Sequence, residues 1–251
     1  MLLLDIGNTH THVGLADASG IVQTCDLKTA DILAGRGESQ LRRWLGKKNI
    51  SHAALCSVVP KATPQAQKAV LNQIGKKALQ LTPKTITGVG IDYPKPETIG
   101  QDRLANSVAA HHHWGAPVVV VDFGTAVTFD VVDHRENYIG GIIAPGLAAM
   151  TDYLHEKTAL LPRIEISEPK VIVGRNTREA MLVGAVHGYR GLVRGLLTEL
   201  RRELGVKKLP VVATGGYAEL LAQHLPEIQE VVPHLTLEGL RLVLMESFMK
   251  A

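Results

Sequence analysis

Val118 to Asp133 reads VVVVDFGTAVTFDVVD. Four β-branched residues in a row, Val118 to Val121, predict a strand buried on both faces. The run breaks at Asp122-Phe123-Gly124-Thr125, and apolar character returns at Val127, Phe129, Val131 and Val132. This is strand, tight turn, strand, with an acid, a glycine and a hydroxyl at the bend. The chain opens on the same pattern: Leu2-Leu3-Leu4-Asp5-Ile6-Gly7-Asn8-Thr9, then Val13-Gly14-Leu15-Ala16. Gly7 and Gly124 each fall two places after the acid. A hairpin built once per half predicts an α/β protein of two similar half-domains, 1–116 and 117–251, facing each other across a cleft.

Composition narrows the partners. The 251 residues are 45% hydrophobic, 20% charged and 4% aromatic, with a net charge of +3. That length suffices for one large or two modest cores. Few aromatics and scattered Lys and Arg argue against a nucleic-acid partner. Cys25 and Cys56 match no metal or redox spacing, so a reducing, cytoplasmic compartment is expected. Strand-like residues from Leu2 leave no room for a signal peptide, and no apolar run approaches the roughly 20 residues of a membrane span.

Between the hairpins, Ile21 to Leu27 is expected as a third strand, Ser39 to Leu45 as a short helix and Ala53 to Val59 as a buried strand. Thr63-Pro64 reads as an N-cap and first turn of a helix running to about Ala78, with Ala66, Val70, Leu71 and Ile74 inward. Gly88 to Asn106, GVGIDYPKPETIGQDRLAN, carries a proline-stiffened extended loop into a helix. Asp102 at its start is either a cap or a base that takes a proton from an alcohol; Arg103 is either a surface charge or the grip on an anionic substrate. His111, His112 and His113 follow one another on a helix and point three ways, so they cannot share one metal.

After the second hairpin, a strand is expected from Tyr138 to Ala144, a helix from Leu147 to Leu160 and a long helix from Arg178 to Leu204. Thr177 at its mouth either caps it or offers a hydroxyl to a ligand. Gly184, Gly188, Gly191 and Gly195 form a stripe on that helix, and each costs up to about 1 kcal/mol relative to alanine. Such a stripe predicts a closely packed neighbour, either another helix of the chain or a second subunit. Gly215-Gly216 after the strand Pro210 to Thr214 opens the helix Tyr217 to Leu225, as a nucleotide-admitting turn or an ordinary one. Thr236 to Met249 is the closing helix, with Leu237, Leu240, Leu244 and Phe248 on one side.

Two acid-bearing hairpins suit a nucleotide triphosphate with magnesium, because phosphoryl transfer asks mostly for positioning and charge neutralisation. DIGNT at Asp5–Thr9, GIDYP at Gly90–Pro94, GQDRLAN at Gly100–Asn106, DFGTAVTFD at Asp122–Asp130, GGIIAPG at Gly140–Gly146 and GRNTREAM at Gly174–Met181 resemble, in this order, type III pantothenate kinase. That family lies in the actin, sugar-kinase and Hsp70 superfamily, so the resemblance implies two ribonuclease-H-like (actin-like) half-domains. It implies transfer of the ATP γ-phosphate to the primary hydroxyl of pantothenate, the first step of coenzyme A synthesis. By the same match Asp102 is the general base and Arg103 grips the pantothenate carboxylate. Tyr93, Gly100, Gln101 and Thr177 shape the pantothenate pocket. Asp5, Ile6, Gly7, Asn8, Thr9, His10, Thr11, His12 and Thr125 receive ATP. Asp5 holds magnesium through water, and Asp122 is the ligand of a monovalent cation, potassium or ammonium. The resemblance further implies a cytoplasmic homodimer. Arg194 departs from the family pattern and leaves the packing of the long helix open. Two rivals are another sugar or small-alcohol kinase of the superfamily and a non-catalytic regulatory relative.

Overall fold

The computed structural model describes residues 1–249, which fall into two compact units. The first comprises Met1–Gly115, Glu136–Tyr138 and the chain from His234 onward; the second comprises Ala116–Arg135 and Ile139–Pro233.

The first unit begins with β1 (Leu2–Ile6), β2 (His10–Ala16) and β3 (Ile21–Lys28). Two short helices follow, α1 (Thr29–Leu33) and α2 (Gly37–Leu45), then β4 (Ala53–Ser57), α3 (Thr63–Ile74), β5 (Leu79–Gln80), β6 (Gly90–Ile91) and α4 (Gln101–Trp114). Five strands form a sheet in the order β3-β2-β1-β4-β5. β1 pairs antiparallel with β2, Leu2↔Leu15 through Ile6↔Thr11, and parallel with β4, Leu2↔Ala53 through Ile6↔Ser57. Leu2, Leu3, Leu4 and Ile6 are all buried, as a central strand covered on both faces requires. Alternation then sorts the side chains. Leu2, Leu4, Ile6, Ala53 and Leu55 join a core with Leu41, Leu45 and Val70 of α2 and α3. Leu3, Asp5, Ala54 and Cys56 project from the other face.

α3 departs from expectation at both ends. Thr63 is its first residue, Ala62 stands at the cap position without a side-chain bond, and Gly75 stops the helix at Ile74 by turning left-handed at φ 71°. Leu71 is 39% exposed rather than inward, while Ala69 takes the buried position. Pro96–Thr98, expected as extended chain, closes a 3₁₀ turn.

The second unit repeats the arrangement. β7 (Val118–Phe123) and β8 (Ala126–Val132) are the hairpin, followed by β9 (Asn137–Pro145), whose first two residues group with the first unit. Then come α5 (Leu147–Lys157), α6 (Thr177–Glu203), β10 (Val211–Thr214), α7 (Ala218–Ala222) and β11 (Glu230–Val231). β7 is antiparallel to β8, Val118↔Val132 through Phe123↔Val127, and parallel to β10, Val211↔Val119 through Thr214↔Asp122. Its neighbours therefore match those of β1 in sense. Val119, Val121 and Phe123 pack with Val186, Tyr189, Val193 and Leu197 of α6.

The N-cap of α6 is Asn176, not Thr177: the Asn176 side chain accepts from the Glu179 N–H at 3.0 Å, and Glu179 returns a carboxylate to the Arg175 N–H at 2.8 Å. Arg190 of the same helix grips Glu168 with two nitrogens, at 2.9 and 2.6 Å, and donates to the Leu220 and Leu221 carbonyls. Arg194 donates to Glu227 at 2.8 Å and to the His224 carbonyl at 3.1 Å, which accounts for the cation on this stretch of helix. Among the described residues the glycine stripe meets no neighbour. Gly184, Gly188, Gly191 and Gly195 are exposed, and a Cβ at any of them would find no heavy atom within 4 Å.

α8 (Leu235–Met249) closes the chain. Sequence alone assigned it to the C-terminal half, but it packs on α4, β1 and β4 and completes the first unit. Leu237, Leu240 and Leu244 are buried as expected; Phe248 is 42% exposed and stacks on His52, ring centroids 4.1 Å apart. A Cβ on Gly239 would overlap the Ala105 backbone of α4, and Thr236 donates to Asn106 at 2.9 Å. Gly239→Ala is expected to cost about 1–3 kcal/mol, because overlap with a fixed backbone outweighs the roughly 1 kcal/mol that alanine contributes to a helix. Urea denaturation measures it, and an unchanged midpoint would mean that the helices do not meet at this residue.

Candidate active site

Asp5 lies with Leu3 on the face of β1 that α8 covers, and the parallel pair Asp5↔Cys56 sets the Cys56 side chain beside it. The thiol donates to Asp5 Oδ1 at 3.3 Å. Burial pushes the Cys56 thiol well above its ordinary range, and the carboxylates of Asp5 and Asp102 push the same way. Cys56 is therefore a neutral donor, not a nucleophile. The turn beyond Asp5 is tight: the Gly7 N–H reaches the His10 carbonyl at 3.0 Å, and a Cβ on Gly7 would stand 2.9 Å from that oxygen.

Of the predicted nucleotide contacts on this turn, Asn8, Thr9 and His10 are exposed and Gly7 is half-buried. Ile6 is buried, which leaves its backbone as the usable part. Thr11 is fully buried, and its hydroxyl meets Thr29 at 3.0 Å. Thr29 gives its one hydroxyl proton to the Gly7 carbonyl at 2.7 Å, so Thr11 is the donor in that pair. The two threonines brace the turn from beneath. His12 Nδ1 lies 2.6 Å from Asp26 across the strand pair.

The second part of this site is the start of α4. Gly100 is its N-cap residue, at φ −57° and ψ 131°. Asp102 does not cap the helix through the usual N-cap geometry; its Oδ1 accepts the Arg103 N–H at 2.8 Å. That oxygen would lie 2.5 Å from a Cβ on Gly100, so only glycine leaves the carboxylate this space. Burial raises the Asp102 pKa above the ordinary carboxylate value, against the opposing pull of the Arg103 N–H and guanidinium. The Arg103 guanidinium lies over the Tyr138 ring, 5.8 Å from its centroid, and Tyr138 meets Tyr93 edge-on at 6.1 Å. Tyr138 reaches this position because Gly90–Ile91 pairs with Asn137–Tyr138, at a glycine where a Cβ would overlap the Asn137 side chain. Gln101 Oε1 accepts the Ser57 N–H at 2.9 Å. Tyr93, Gly100, Gln101, Asp102 and Arg103 thus gather at one place, with Asp5 near enough that both acids act on Cys56.

In the second unit the turn after β7 carries Asp122, half-buried, and Thr125, exposed. Two glycines hold it from opposite sides in sequence. The Gly146 N–H donates to the Thr125 carbonyl at 3.2 Å, and a Cβ there would overlap the turn backbone. Gly215, at φ 95°, would place a Cβ 2.6 Å from Asp122 Oδ1. Tyr189 donates to the Pro145 carbonyl at 2.8 Å, and burial pushes its hydroxyl up to about 12. Thr177 is exposed in the first turn of α6.

His111 lies 3.8 Å from Glu136 and His113 3.1 Å from Glu238, so the histidine run divides between partners. Among the described residues no group of three or more His, Cys, Asp or Glu side chains could hold a metal alone. A single carboxylate such as Asp5, completed by water and phosphate oxygens, is a donor set that magnesium accepts. Cys56, Ser57 and Tyr138 were missed from the sequence as site residues. The signal for Cys56 is its place in an apolar strand, which says nothing of the strand it joins.

A family model described as type III pantothenate kinase matches residues 1–199. A type III pantothenate kinase of Akkermansia muciniphila is 46% identical over 96% of this chain and 96% of its own length. One of Methylacidiphilum infernorum is 43% identical over 97% of this chain and 87% of its own. Among solved structures, a Campylobacter jejuni protein assigned to the Baf family of transcriptional activators superposes with a TM-score of 0.65 at 20% identity, covering 99% of this chain and 100% of its own. An N-acetylmannosamine kinase candidate of Listeria monocytogenes reaches 0.59 at 10% identity, covering 98% and 99%. At these identities the structural likeness speaks to the fold, which is that of the actin-like sugar kinases.

A raised Asp102 pKa makes the ionised carboxylate a cost to folding. The cost is present in full above the folded pKa and is relieved as pH falls through it toward the unfolded value. Asp102→Asn, which keeps an acceptor for the Arg103 N–H, is therefore expected to raise the melting temperature at pH 8. The gain should shrink as the buffer enters the carboxylate range. A lower melting temperature for the variant at pH 8 would contradict this burial.

Proposed function

The chain belongs to the type III pantothenate kinase family, which phosphorylates pantothenate in coenzyme A synthesis, and we propose that Asp102 is its general base. One observation carries this assignment. Asp102 is a largely desolvated carboxylate of raised basicity at the start of α4, and the next residue, Arg103, lies over Tyr138, which meets Tyr93. A base of raised pKa is the better proton acceptor toward an alcohol.

The primary hydroxyl of pantothenate gives its proton to Asp102 as its oxygen bonds to the γ-phosphorus of ATP. The bond from that phosphorus to the β,γ-bridging oxygen breaks, and ADP leaves with the electron pair. Arg103, with its guanidinium over Tyr138, holds the pantothenate carboxylate. Tyr93, Gly100, Gln101 and Thr177 complete the substrate pocket. Asp5 to Thr9, with Thr125, receive the triphosphate; His10 and His12 flank the first turn, and Thr11 acts beneath it through Thr29. Asp5 would hold magnesium, which would supply neutralisation of the charge on the transferring phosphate. Asp122, which Gly215 approaches too closely to carry a side chain, would be the ligand for a monovalent cation.

A homodimer is part of the same reading. Ile143, Tyr153, Leu160, Ile172 and Val173 are exposed apolar side chains of the second unit, and the glycine stripe of α6 is also uncovered. Such surface supports pairing with a second copy. Sedimentation equilibrium is expected to give twice the chain mass, and a monomer at micromolar concentration would end this part. Among the described residues no helix is long and apolar enough to cross a membrane; a cytoplasmic location is proposed with the metabolic role.

Formation of phosphopantothenate from ATP and pantothenate, with and without potassium, tests the reading. Asp102→Asn is expected to cut kcat at least about a hundredfold while leaving ATP binding in place. Arg103→Ala should chiefly raise KM for pantothenate. Near-normal kcat in the first variant, or an unchanged KM in the second, would remove the residue from its role.

A further inference from the structure

We propose that Gln101 is a positioning residue, which fixes the Asp102 carboxylate by tying the first turn of α4 to the open end of β4. The inference rests on the kinase reading and goes beyond a pocket-lining role for Gln101.

The backbone of β4 shows why a tie is needed. Residues of a parallel strand present their N–H and C=O groups alternately to the two neighbouring strands. Val58 N–H reaches Ile6 on the β1 side, at 3.0 Å. Leu55 faces the opposite side, where its carbonyl takes the Leu81 N–H at 2.8 Å. β5 is only two residues long, and its ladder with β4 pairs Ala54↔Leu79 and Leu55↔Gln80. The next N–H facing that side is Ser57's, beyond the paired stretch. A half-buried backbone donor left without an acceptor is costly, and here a side chain replaces the absent strand: Gln101 Oε1 accepts at 2.9 Å.

The Ser57 side chain is also engaged. Its hydroxyl donates to the Val59 carbonyl at 3.2 Å and accepts from the Val59 N–H and from Thr63, at 3.1 and 2.9 Å. Thr63 begins α3. Ser57 is therefore a fixed post, held through β1 and α3, and Gln101 hangs the first residue of α4 on it. Asp102 is the next residue. Its carboxylate has little latitude of its own, because Gly100 and the Arg103 N–H define its place relative to the helix. What remains to be set is the position of that turn over the sheet, and Gln101 sets it.

The amide has two ends, and they separate this role from direct substrate contact. The acceptor oxygen is used on Ser57, while a contact to pantothenate oxygens would use the Nε2 donor. Gln101→Leu removes both ends, and Gln101→Glu keeps the acceptor alone. For Gln101→Leu we expect kcat to fall at least about tenfold, since small misplacement of a reacting group is expensive, with KM for pantothenate changed less than about threefold. Gln101→Glu should recover most of the lost kcat. Amide exchange read at Ser57 supplies a second measurement: protection should drop in the leucine variant and return in the glutamate variant. A melting temperature and an ATP-binding titration on each variant establish that it is folded.

If Gln101→Leu raised KM with kcat intact, or if both variants lost kcat equally, the positioning role would be wrong. Wild-type protein that makes no phosphopantothenate would end the kinase reading and this inference together. Normal wild-type turnover with either of those variant results would end only the inference.

Discussion

The parallel pairing of Leu2–Ile6 with Ala53–Ser57 is the contact on which the chemistry of the first unit depends. It joins segments about fifty residues apart, and its register has consequences one residue at a time. With Asp5 opposite Cys56, the carboxylate gains a buried thiol donor. With Ile6 opposite Ser57, the strand ends where a backbone N–H can catch Gln101. A slip of one residue would turn Leu3 and Asp5 toward α2 and α3, and would set Leu2 and Leu4 against α4 and α8. Leu2, Leu4 and Ile6 are each at most 2% exposed, so the slip would move three full hydrophobic side chains from a packed core. At about 1.5–3 kcal/mol for each large apolar side chain, burial holds the acid in place far more firmly than the hydrogen bond from the Cys56 thiol does.

Close backbone approach is the second constraint, and glycine meets it at four informative places. Gly100 makes room for the Asp102 carboxylate, Gly215 for that of Asp122, Gly146 for the carbonyls of the second turn, and Gly239 for the backbone of α4. Gly100 does so in the first unit and Gly146 and Gly215 in the second, where a Cβ would crowd an acid or a turn. The fourth is remote from the reacting groups and acts through α4, whose first turn bears Asp102. α8 is thus part of the machinery by packing, although it lies beyond the residues 1–199 that the family model covers.

The hairpins could be read from sequence because their information is local. Alternation, an unbroken valine run and an acid–glycine turn specify β1–β2 and β7–β8 nearly to the residue. α4 and α6 could be read for the same reason, with α6 misjudged by one residue at its cap because Asn176 and Thr177 are both good capping residues and only Asn176 meets the Glu179 N–H. What sequence could not supply is pairing at a distance. Nothing in AALCSVV names β1 as its partner, so Cys56 passed for an inert core residue. Tyr138 lay in a strand whose partner, Gly90–Ile91, is two residues long and has no periodicity to detect. The motif GQDRLAN singled out Gln101, but its tie to Ser57 exists only because β5 stops at Gln80, which no pattern within the motif records.

A carboxylate of raised basicity is unstable by construction, since burial is both what makes it a good base and what makes its charge costly. The surroundings of Asp102 answer this without cancelling it. The Arg103 guanidinium lies over the Tyr138 ring, and the carboxylate receives the Arg103 backbone N–H. That bond restrains one oxygen. Desolvation still prevails, as the net upward shift records.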